Sequence, residues 1–274
     1  MLAPTLVSVG VSQSKEPDAE RAAAIAQAGC ILRGIVGSTV HGLSNPGTDD
    51  RDEMGVCVEP PEYVVGLRPF EHWVFRTQAE GVRSGPGDLD LTIYGLRKYC
   101  RMALKGSPTV LLLLFIDGDD VLERKPLGVE LQKLAPAFVS RRAGRAFLGY
   151  VDAQRRGLVG ERHATRTREV SPEHGYDTKY AMHALRIVHQ GYELLTTGRI
   201  NLPVAEPERS SLMRVRQGEV PLSEVLDRLH EQSARLEHAM LSDDLPEEPE
   251  HERVDRFLVD AYQRAWDGEQ QELQ

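Results

Sequence analysis

An apolar run that stops at a Gly-Ser pair, with closely spaced carboxylates after it, most strongly constrains how this chain can fold. Residues 30–36 are mostly apolar and lead into Gly37 and Ser38, and Asp50 and Asp52 follow a Pro-Gly turn. The apolar run predicts a buried strand, and the residues after the acids predict a second one. Because side chains two residues apart on a strand share a face, Asp50 and Asp52 are expected to point the same way.

The paired carboxylates and the Gly-Ser turn together indicate a site for a metal ion and a phosphate group. Two carboxylates held on one face repel each other unless a cation lies between them. Hard oxygen ligands favour Mg²⁺ or Mn²⁺. A Gly-Ser turn ahead of them presents backbone N–H groups to a phosphate. We therefore predict a metal site at Asp50 and Asp52 beside a phosphate loop at Gly37 and Ser38, which is typical of phosphoryl or nucleotidyl transfer.

A third carboxylate is predicted on a separate strand. Residues 88–94 alternate polar and apolar, which is typical of a half-buried strand. If the apolar residues form the buried face, Asp90 faces the cleft, and we favour it as the third ligand, with Asp88 as its competitor. A carboxylate cluster of this kind can hold two metals, which activate the attacking hydroxyl and stabilise the leaving pyrophosphate.

The bulk properties exclude several classes of protein. No apolar run approaches the ~20 residues that cross a bilayer, so no membrane partner is expected. The first residues show no signal-peptide pattern. Three widely spaced cysteines, Cys30, Cys57 and Cys100, predict reduced, buried thiols in a cytoplasmic protein and no structural zinc. The net charge of −9 argues against a surface coated for nucleic acid.

Positive charge is nevertheless concentrated in one segment. Between Arg141 and Arg168 there are eight arginines against Asp152 and Glu161, and from Glu219 onward there are 16 acidic and 5 basic residues. The segment either holds a polyanion or forms a solvated helical face with ion pairs to the acidic C-terminal part. Both interpretations stay open from the sequence.

The remaining pattern predicts an α+β fold: a small mixed β-sheet core with flanking helices, followed by an α-helical C-terminal domain. The expected division is a catalytic domain at residues 1–134 and a helical domain at 135–274. A further strand is predicted at residues 72–77. Helices are predicted at residues 16–28, 38–43 (capped by Ser38), 96–105, 176–197, 222–241 and 252–266. Another helix is expected to start at Ser107-Pro108, directly after the one at 96–105. A turn is predicted at 45–47, and residues 268–274 are expected to fray.

Taken together, Gly37-Ser38, Asp50-x-Asp52 and a strand aspartate near residue 90 resemble the DNA polymerase β-type nucleotidyltransferase superfamily. Within it, several stretches resemble the bacterial and phage branch of predicted nucleotidyltransferases that includes RNA-ligase-associated members. These stretches are residues 37–43 (Gly-Ser-Thr-Val-His-Gly-Leu), 51–56 (Arg-Asp-Glu-Met-Gly-Val), 94–99, 105–110 and 175–183. The resemblance covers roughly residues 30 to 200.

The resemblance implies acids on neighbouring strands, a helical part that closes a nucleotide cleft, Mg²⁺ and a nucleoside triphosphate. It does not fix the acceptor. The chain departs from the family pattern because more residues separate the Gly-Ser turn from the acidic pair. This wider gap leaves Asp49 as an alternative to Asp50 for the first metal-ligand position. We keep Asp50, because only Asp50 shares a strand face with Asp52.

Further candidates for phosphate binding lie outside this motif. Lys179, His183 and Arg186 are spaced at i, i+4 and i+7, which places three cationic or switchable groups on one helix face. They are predicted either to bind the triphosphate or to form a solvated face. His41 lies inside the Gly-Ser loop and either packs under the turn or contacts the ligand.

The sequence thus predicts a metal-dependent nucleotidyltransferase that passes a nucleoside monophosphate from an NTP to a hydroxyl acceptor, with an RNA end as one acceptor. Catalysis would consist mainly of positioning and charge neutralisation. The first alternative is a non-catalytic nucleotide-binding or partner-regulating module of the same fold. The second is a sugar-nucleotide glycosyltransferase that uses Asp-x-Asp for metal, and the Gly-Ser turn argues against it.

Overall fold

The computed structural model describes residues 18–44, 49–79, 82, 84–158 and 174–272. The predicted turn at 45–47, the first two residues of the helix predicted at 16–28, and residues 159–168 of the arginine-rich segment therefore lie outside the described residues. Among the helices of the described part, none combines the length and the apolar character that a bilayer-spanning segment needs.

A five-stranded mixed sheet forms the centre of the first half of the chain. Its strands are β1 Cys30–Val36, β2 Arg51–Cys57, β3 His72–Arg76, β4 Leu89–Gly95 and β5 Val121–Arg124. They lie in the order β3-β4-β2-β1-β5, with β2 and β4 parallel and the other neighbours antiparallel. The first four strands were predicted within two residues of their ends, the second of them as residues 52–59. The fifth was not, because its half-buried residues show no clear alternation.

Helices flank the sheet and make up the second half of the described chain. They are α1 Ala19–Ala28, α2 Gly37–Val40, α3 Pro61–Val64, α4 Leu96–Leu104, α5 Pro108–Leu111, α6 Pro126–Lys133, α7 Arg141–Leu158, α8 Thr178–Thr197, α9 Glu208–Arg216, α10 Leu222–Ala239 and α11 His251–Glu272. Short 3₁₀ turns lie at Leu112–Leu114, Gly118–Asp120 and Ala135–Phe138. The α+β architecture with a helical C-terminal part is as the sequence predicts.

Two details of the helix predictions were wrong. Ser38 does not cap α2, because the helix begins at Gly37 and the Ser38 hydroxyl donates instead to Asp49 at 3.0 Å. The last helix is longer than the predicted 252–266, since α11 runs from His251 to Glu272, and the fraying expected at 268–274 stays a prediction. At the longest predicted helix the stop signal was correct: Gly198 ends α8 with φ of 73°, a conformation that glycine adopts without steric cost.

Buried side chains form two clusters on the two faces of the sheet. Leu91 and Ile93 pack with α1, together with the partly buried Trp73 and Phe75. On the other face, Met54 and Val56 belong to a larger cluster that includes residues of α4, α7, α8 and α10. Because strand residues alternate in direction, Asp90 faces away from α1, toward the side that carries the helical half. The larger cluster contains side chains from both sides of residue 134, and the division into two domains there stays a prediction.

Candidate active site

Three carboxylates converge at one end of the central strands. Asp52 on β2 lies directly opposite Asp90 on β4 in the parallel pairing, and Asp50 lies two residues before Asp52. One oxygen or more from each of Asp50, Asp52 and Asp90 falls within 4.8 Å of the others. The parallel register brings together residues that are almost forty positions apart in sequence. This spacing is close enough for a shared ion.

Crowding and partial burial change the acidity of the central carboxylate. The pKa of Asp52 is raised to about 6, first by burial and then by the negative charges of Asp50 and Asp90. A divalent cation between these groups would remove that repulsion and favour the ionised form. The donor set consists of carboxylate oxygens only, which is the chemistry that Mg²⁺ and Mn²⁺ prefer. These residues therefore fit a divalent metal site.

The two competing aspartates, Asp88 just before β4 and Asp90 within it, have different partners. Asp90 accepts hydrogen bonds from Gln78 at 2.8 Å and Ser84 at 2.9 Å, and Arg76 lies 3.4 Å away. Asp88 accepts instead from the Thr77 hydroxyl and from a backbone N–H, both at 2.9 Å. Asp88 thus holds the turn between β3 and β4, while Asp90 reaches the carboxylate cluster.

Asp49 has a separate role from Asp50. Its oxygens accept from Arg216 at 2.6 and 2.9 Å and from the Ser38 hydroxyl at 3.0 Å. It is buried, and within the described chain it lies outside the group of carboxylates that could share an ion. The geometry favours Asp50 over Asp49 as a metal ligand, in line with the strand-face argument.

The Gly-Ser pair follows β1 directly and lies against the carboxylates. Gly37 has φ of 70°, and a Cβ atom at this position would fall 2.0 Å from Oδ2 of Asp52. Glycine is therefore needed here both for its conformation and for the close approach. The Gly-Ser pair at the start of α2 and the metal-site candidate are therefore in direct contact.

A cavity of about 220 Å³ opens beside this unit. Its walls come from both halves of the chain and include three cationic residues. The lining consists of Gly37, Ser38, His41, Leu43, Asp52, Lys179, Met182, His183, Arg186 and Arg216. Every predicted phosphate-binding residue lines this space, and Asp52 joins it to the carboxylate cluster.

The three predicted groups on α8 differ in burial. Lys179 has 63% of its side chain exposed and lies 3.8 Å from Asp49. Arg186 is buried, and burial lowers the pKa of its guanidinium to about 10, which leaves it charged at neutral pH. For His183, burial and then the charge of Arg186 lower the pKa to about 3. The cavity thus has two cations from α8, and His183 is a neutral ring.

Arg186 lies at the centre of a buried network of neutral partners. It donates to Nδ1 of His183 at 2.8 Å, to Oε1 of Gln190 at 2.9 Å and to Nε2 of His41. His183 in turn contacts the Tyr150 hydroxyl at 3.2 Å. Burial, followed by the charge of Arg186, holds the pKa of His41 well below its usual range. Within the described residues no carboxylate lies within ion-pair distance of Arg186.

Sequence reasoning missed one cationic residue of the cavity, Arg216 at the end of α9. Nothing in its local sequence distinguishes it from the other arginines of that helix, and only the tertiary contact with Asp49 reveals it. His41, which the sequence left between packing and ligand contact, is buried beneath the loop and also lines the cavity.

Other basic clusters are paired with acids away from this site. Arg141, Arg142 and Arg145 at the start of α7 form ion pairs with Glu247 and Glu248. For these arginines the structure favours the interpretation of ion pairs to the acidic C-terminal part. On α4, Lys98 and Arg101 pair with Glu71 at 2.6 and 2.7 Å.

One family model matches most of the chain. Residues 12–260 match the model of a family described as RlaP, the RNA repair pathway DNA polymerase beta family. The search of curated proteins found no match. A crystal structure of a nucleotidyltransferase-like protein from Exiguobacterium sibiricum 255-15 is similar at 13% identity and a TM-score of 0.29, covering 81% of this chain and 73% of that one.

Proposed function

Because the chain belongs to the RNA repair pathway DNA polymerase beta family and is a nucleotidyltransferase, we propose that it transfers a nucleoside monophosphate from an NTP to a hydroxyl acceptor. This proposal rests mainly on the position of Asp52, where the carboxylate cluster meets the cavity. This residue belongs to the carboxylate cluster and also lines the cation-rich cavity. A metal site and a polyphosphate site that share a wall are what nucleotidyl transfer requires.

In this proposal the cavity binds the triphosphate. Lys179 and Arg186 supply positive charge, and Gly37 and Ser38 form the wall nearest the carboxylates. Arg186 is the strongest support. Its hydrogen-bond partners among the described residues are neutral, and a buried guanidinium without an anionic partner is unfavourable. His41 and His183 accept its hydrogen bonds as neutral rings and so fix its direction.

The carboxylates have the complementary task. Asp50, Asp52 and Asp90 would hold Mg²⁺ or Mn²⁺, which when bound neutralises charge on the phosphates and lowers the pKa of the acceptor hydroxyl. Asp90 lies on the β4 side of Asp52, away from β1 and the Gly-Ser loop. We assign the acceptor hydroxyl to this side, so that it approaches the α-phosphate opposite the leaving pyrophosphate. The residues contribute mainly by positioning these groups.

An RNA end is the acceptor we propose. The support is the family description, which places the family in RNA repair. The ion pairs of Arg141, Arg142 and Arg145 with acidic side chains give no added support from that segment. For location we propose the cytoplasm, because the three cysteines are buried free thiols, typical of a reducing compartment.

The test is release of pyrophosphate from labelled NTPs with Mg²⁺, with total RNA, protein extract and small hydroxyl compounds offered as acceptors. We expect label on RNA, and a loss of at least about 100-fold in rate for Asp50→Asn and Asp52→Asn, since each removes a charged metal ligand. Equal turnover by these variants contradicts the proposal. Nucleotide binding without turnover on any acceptor would favour the non-catalytic alternative.

A further inference from the structure

Arg216 is held by only one of its two terminal nitrogens. It is the last residue of α9, and its side chain is 8% exposed. Nη2 donates to both carboxylate oxygens of Asp49, at 2.6 and 2.9 Å. Nη1 is buried and has no hydrogen-bond partner in the described part of the structure. One half of the guanidinium is therefore fixed, and the other half is left without an acceptor.

The location of this arginine suggests what the missing acceptor is. Arg216 lines the same cavity as Ser38, Asp52 and Arg186. A buried N–H without an acceptor is unfavourable, and one on a charged group is more so. Phosphate oxygens, like carboxylate oxygens, match a guanidinium in charge and in geometry, and the cavity is lined by three cations. An anionic ligand in the cavity would satisfy Nη1.

Asp49 connects Arg216 to the rest of the cavity wall. Its oxygens also accept from the Ser38 hydroxyl at 3.0 Å, and Lys179 lies 3.8 Å away. The Asp49 carboxylate thus accepts hydrogen bonds from Ser38 and from Arg216 on α9, and forms a longer ion pair with Lys179 on α8. Asp49 also immediately precedes Asp50 of the carboxylate cluster. The position of the arginine is therefore tied to the position of the metal-site candidate.

We propose that Arg216 is a phosphate-binding residue of the triphosphate site and that Asp49 is a positioning residue that orients it. The inference rests on the proposed function, because the NTP triphosphate is the anion that enters the cavity. Nη2 stays on Asp49, and Nη1 donates to a non-bridging phosphate oxygen. Arg216 then completes a set of three cations, with Lys179 and Arg186, around the polyphosphate.

The first experiment measures binding of inorganic triphosphate with Mg²⁺ by calorimetry, a probe that needs no base. Arg216→Gln is expected to weaken binding by at least about tenfold, because it removes a charge-assisted hydrogen bond. The matched control is Arg214→Gln on the same helix, where the arginine is 57% exposed and pairs with Glu219. The control is expected to stay within about twofold of the parent, since exposed ion pairs contribute little.

A second variant keeps the test valid if Arg216→Gln does not fold. Arg216→Lys retains the charge and one nitrogen for Asp49, but no second nitrogen for phosphate, so we expect it to fold and still to lose affinity. For Asp49→Asn we expect a several-fold rise in KM for the NTP in the pyrophosphate assay with a smaller change in kcat. A merely structural role of Asp49 would lower Tm and leave KM unchanged.

The outcomes separate this inference from the proposed function. Equal triphosphate affinity of the parent and Arg216→Gln overturns the inference, and so does a parent that releases pyrophosphate from NTP but does not bind inorganic triphosphate. A parent that binds triphosphate in an Arg216-dependent way but releases no pyrophosphate from any NTP supports the inference and contradicts the proposed transfer activity.

Discussion

Gly37 and Asp52 are packed so closely that a Cβ atom on the glycine would lie 2.0 Å from Oδ2 of the aspartate. The backbone of Gly37 also has φ of 70°, which other residues adopt only with strain. The first residue of α2 is therefore packed against the carboxylate of Asp52, the second residue of β2. This contact couples the predicted phosphate loop to the predicted metal site.

Gly37→Ala is expected to lower the rate of pyrophosphate release by at least about tenfold while the protein stays folded, because the methyl group must displace the Asp52 carboxylate. Steady-state kinetics and circular dichroism measure the two effects. Gly149→Ala is the matched control, since a Cβ there meets nothing within 4 Å and the residue lies inside α7. It should keep full activity and gain about 1 kcal/mol in stability.

Asp90 and Asp88 provide a second test, because they are close in sequence and differ in contacts. We expect Asp90→Asn to lower kcat by at least about 100-fold, as loss of a charged metal ligand does. Asp88→Asn should stay within about fivefold, since Asp88 holds the turn through Thr77 and Gly85. Pyrophosphate release under saturating NTP measures both. The reverse order of effects would make Asp88 the third ligand.

The raised pKa of Asp52 predicts how the stability of the metal-free protein depends on pH. The folded-state pKa is about 6, above the usual 3.8, so the folded state binds the proton more tightly than the unfolded state. The stability that Asp52 contributes through this tighter proton binding is present at low pH. It is lost as the pH rises through the folded-state pKa of about 6. In EDTA, the Tm of Asp52→Asn should therefore rise relative to that of the parent as the pH rises from about 4 to 7. Each kcal/mol of unfolding free energy that the parent loses should appear as a Tm difference of roughly 2–4 °C.

Added Mg²⁺ should reverse this difference, because the parent binds the ion through an ionised Asp52 and the asparagine variant binds it less well. Thermal melts with and without Mg²⁺ at several pH values make the comparison. Apparent Mg²⁺ affinity of the parent should fall below about pH 6. A Tm difference between parent and variant that is independent of both pH and metal would contradict the assignment of Asp52 to the metal site.

Arg186 and Lys179 should contribute unequally to NTP binding. Arg186 is buried, so its charge acts through little water, whereas Lys179 is 63% exposed and screened. We expect Arg186→Gln to raise KM for the NTP by at least about tenfold and Lys179→Gln by about two- to fivefold. The salt dependence of KM is an independent check, since the Lys179 contribution should weaken more with added KCl.

A stability prediction concerns Glu59, which is buried between α4 and α11. Its Oε2 accepts from the Leu96 N–H at 2.9 Å and from the Tyr262 hydroxyl at 2.7 Å. Tyr262→Phe removes one of these donors from a buried carboxylate and should cost about 1–3 kcal/mol. Urea unfolding measures the loss. Tyr192→Phe, which removes a hydroxyl without a hydrogen-bond partner in the described chain, should change stability by less than about 0.5 kcal/mol.

The local elements of this protein could be predicted from sequence because local physics specifies them. The apolar run before Gly37 indicated β1, the alternation around Leu91 indicated β4, and Gly198 marked the end of α8. The choice of Asp50 and Asp90 followed from the two-residue period of a strand. The metal and phosphate roles of these residues stay predictions until the experiments above are done.

Contacts between residues that are distant in sequence could not be predicted from local sequence patterns. The parallel register that sets Asp52 opposite Asp90 depends on how β2 and β4 pair, and no local pattern specifies that pairing. The pairing of Asp49 with Arg216 joins residues 167 positions apart, and any of several arginines would have looked equally suitable in the sequence.

The charge states of the cavity also depended on tertiary structure. Lys179, His183 and Arg186 share one face of α8, so the sequence does not distinguish their charge states. In the structure Lys179 is an exposed cation, His183 is a buried neutral ring and Arg186 is a buried cation. Sequence by itself determined which chemical groups are present and which elements hold them. Only the tertiary structure decided which groups meet and which remain charged, because both depend on solvent exclusion and on contacts between distant segments.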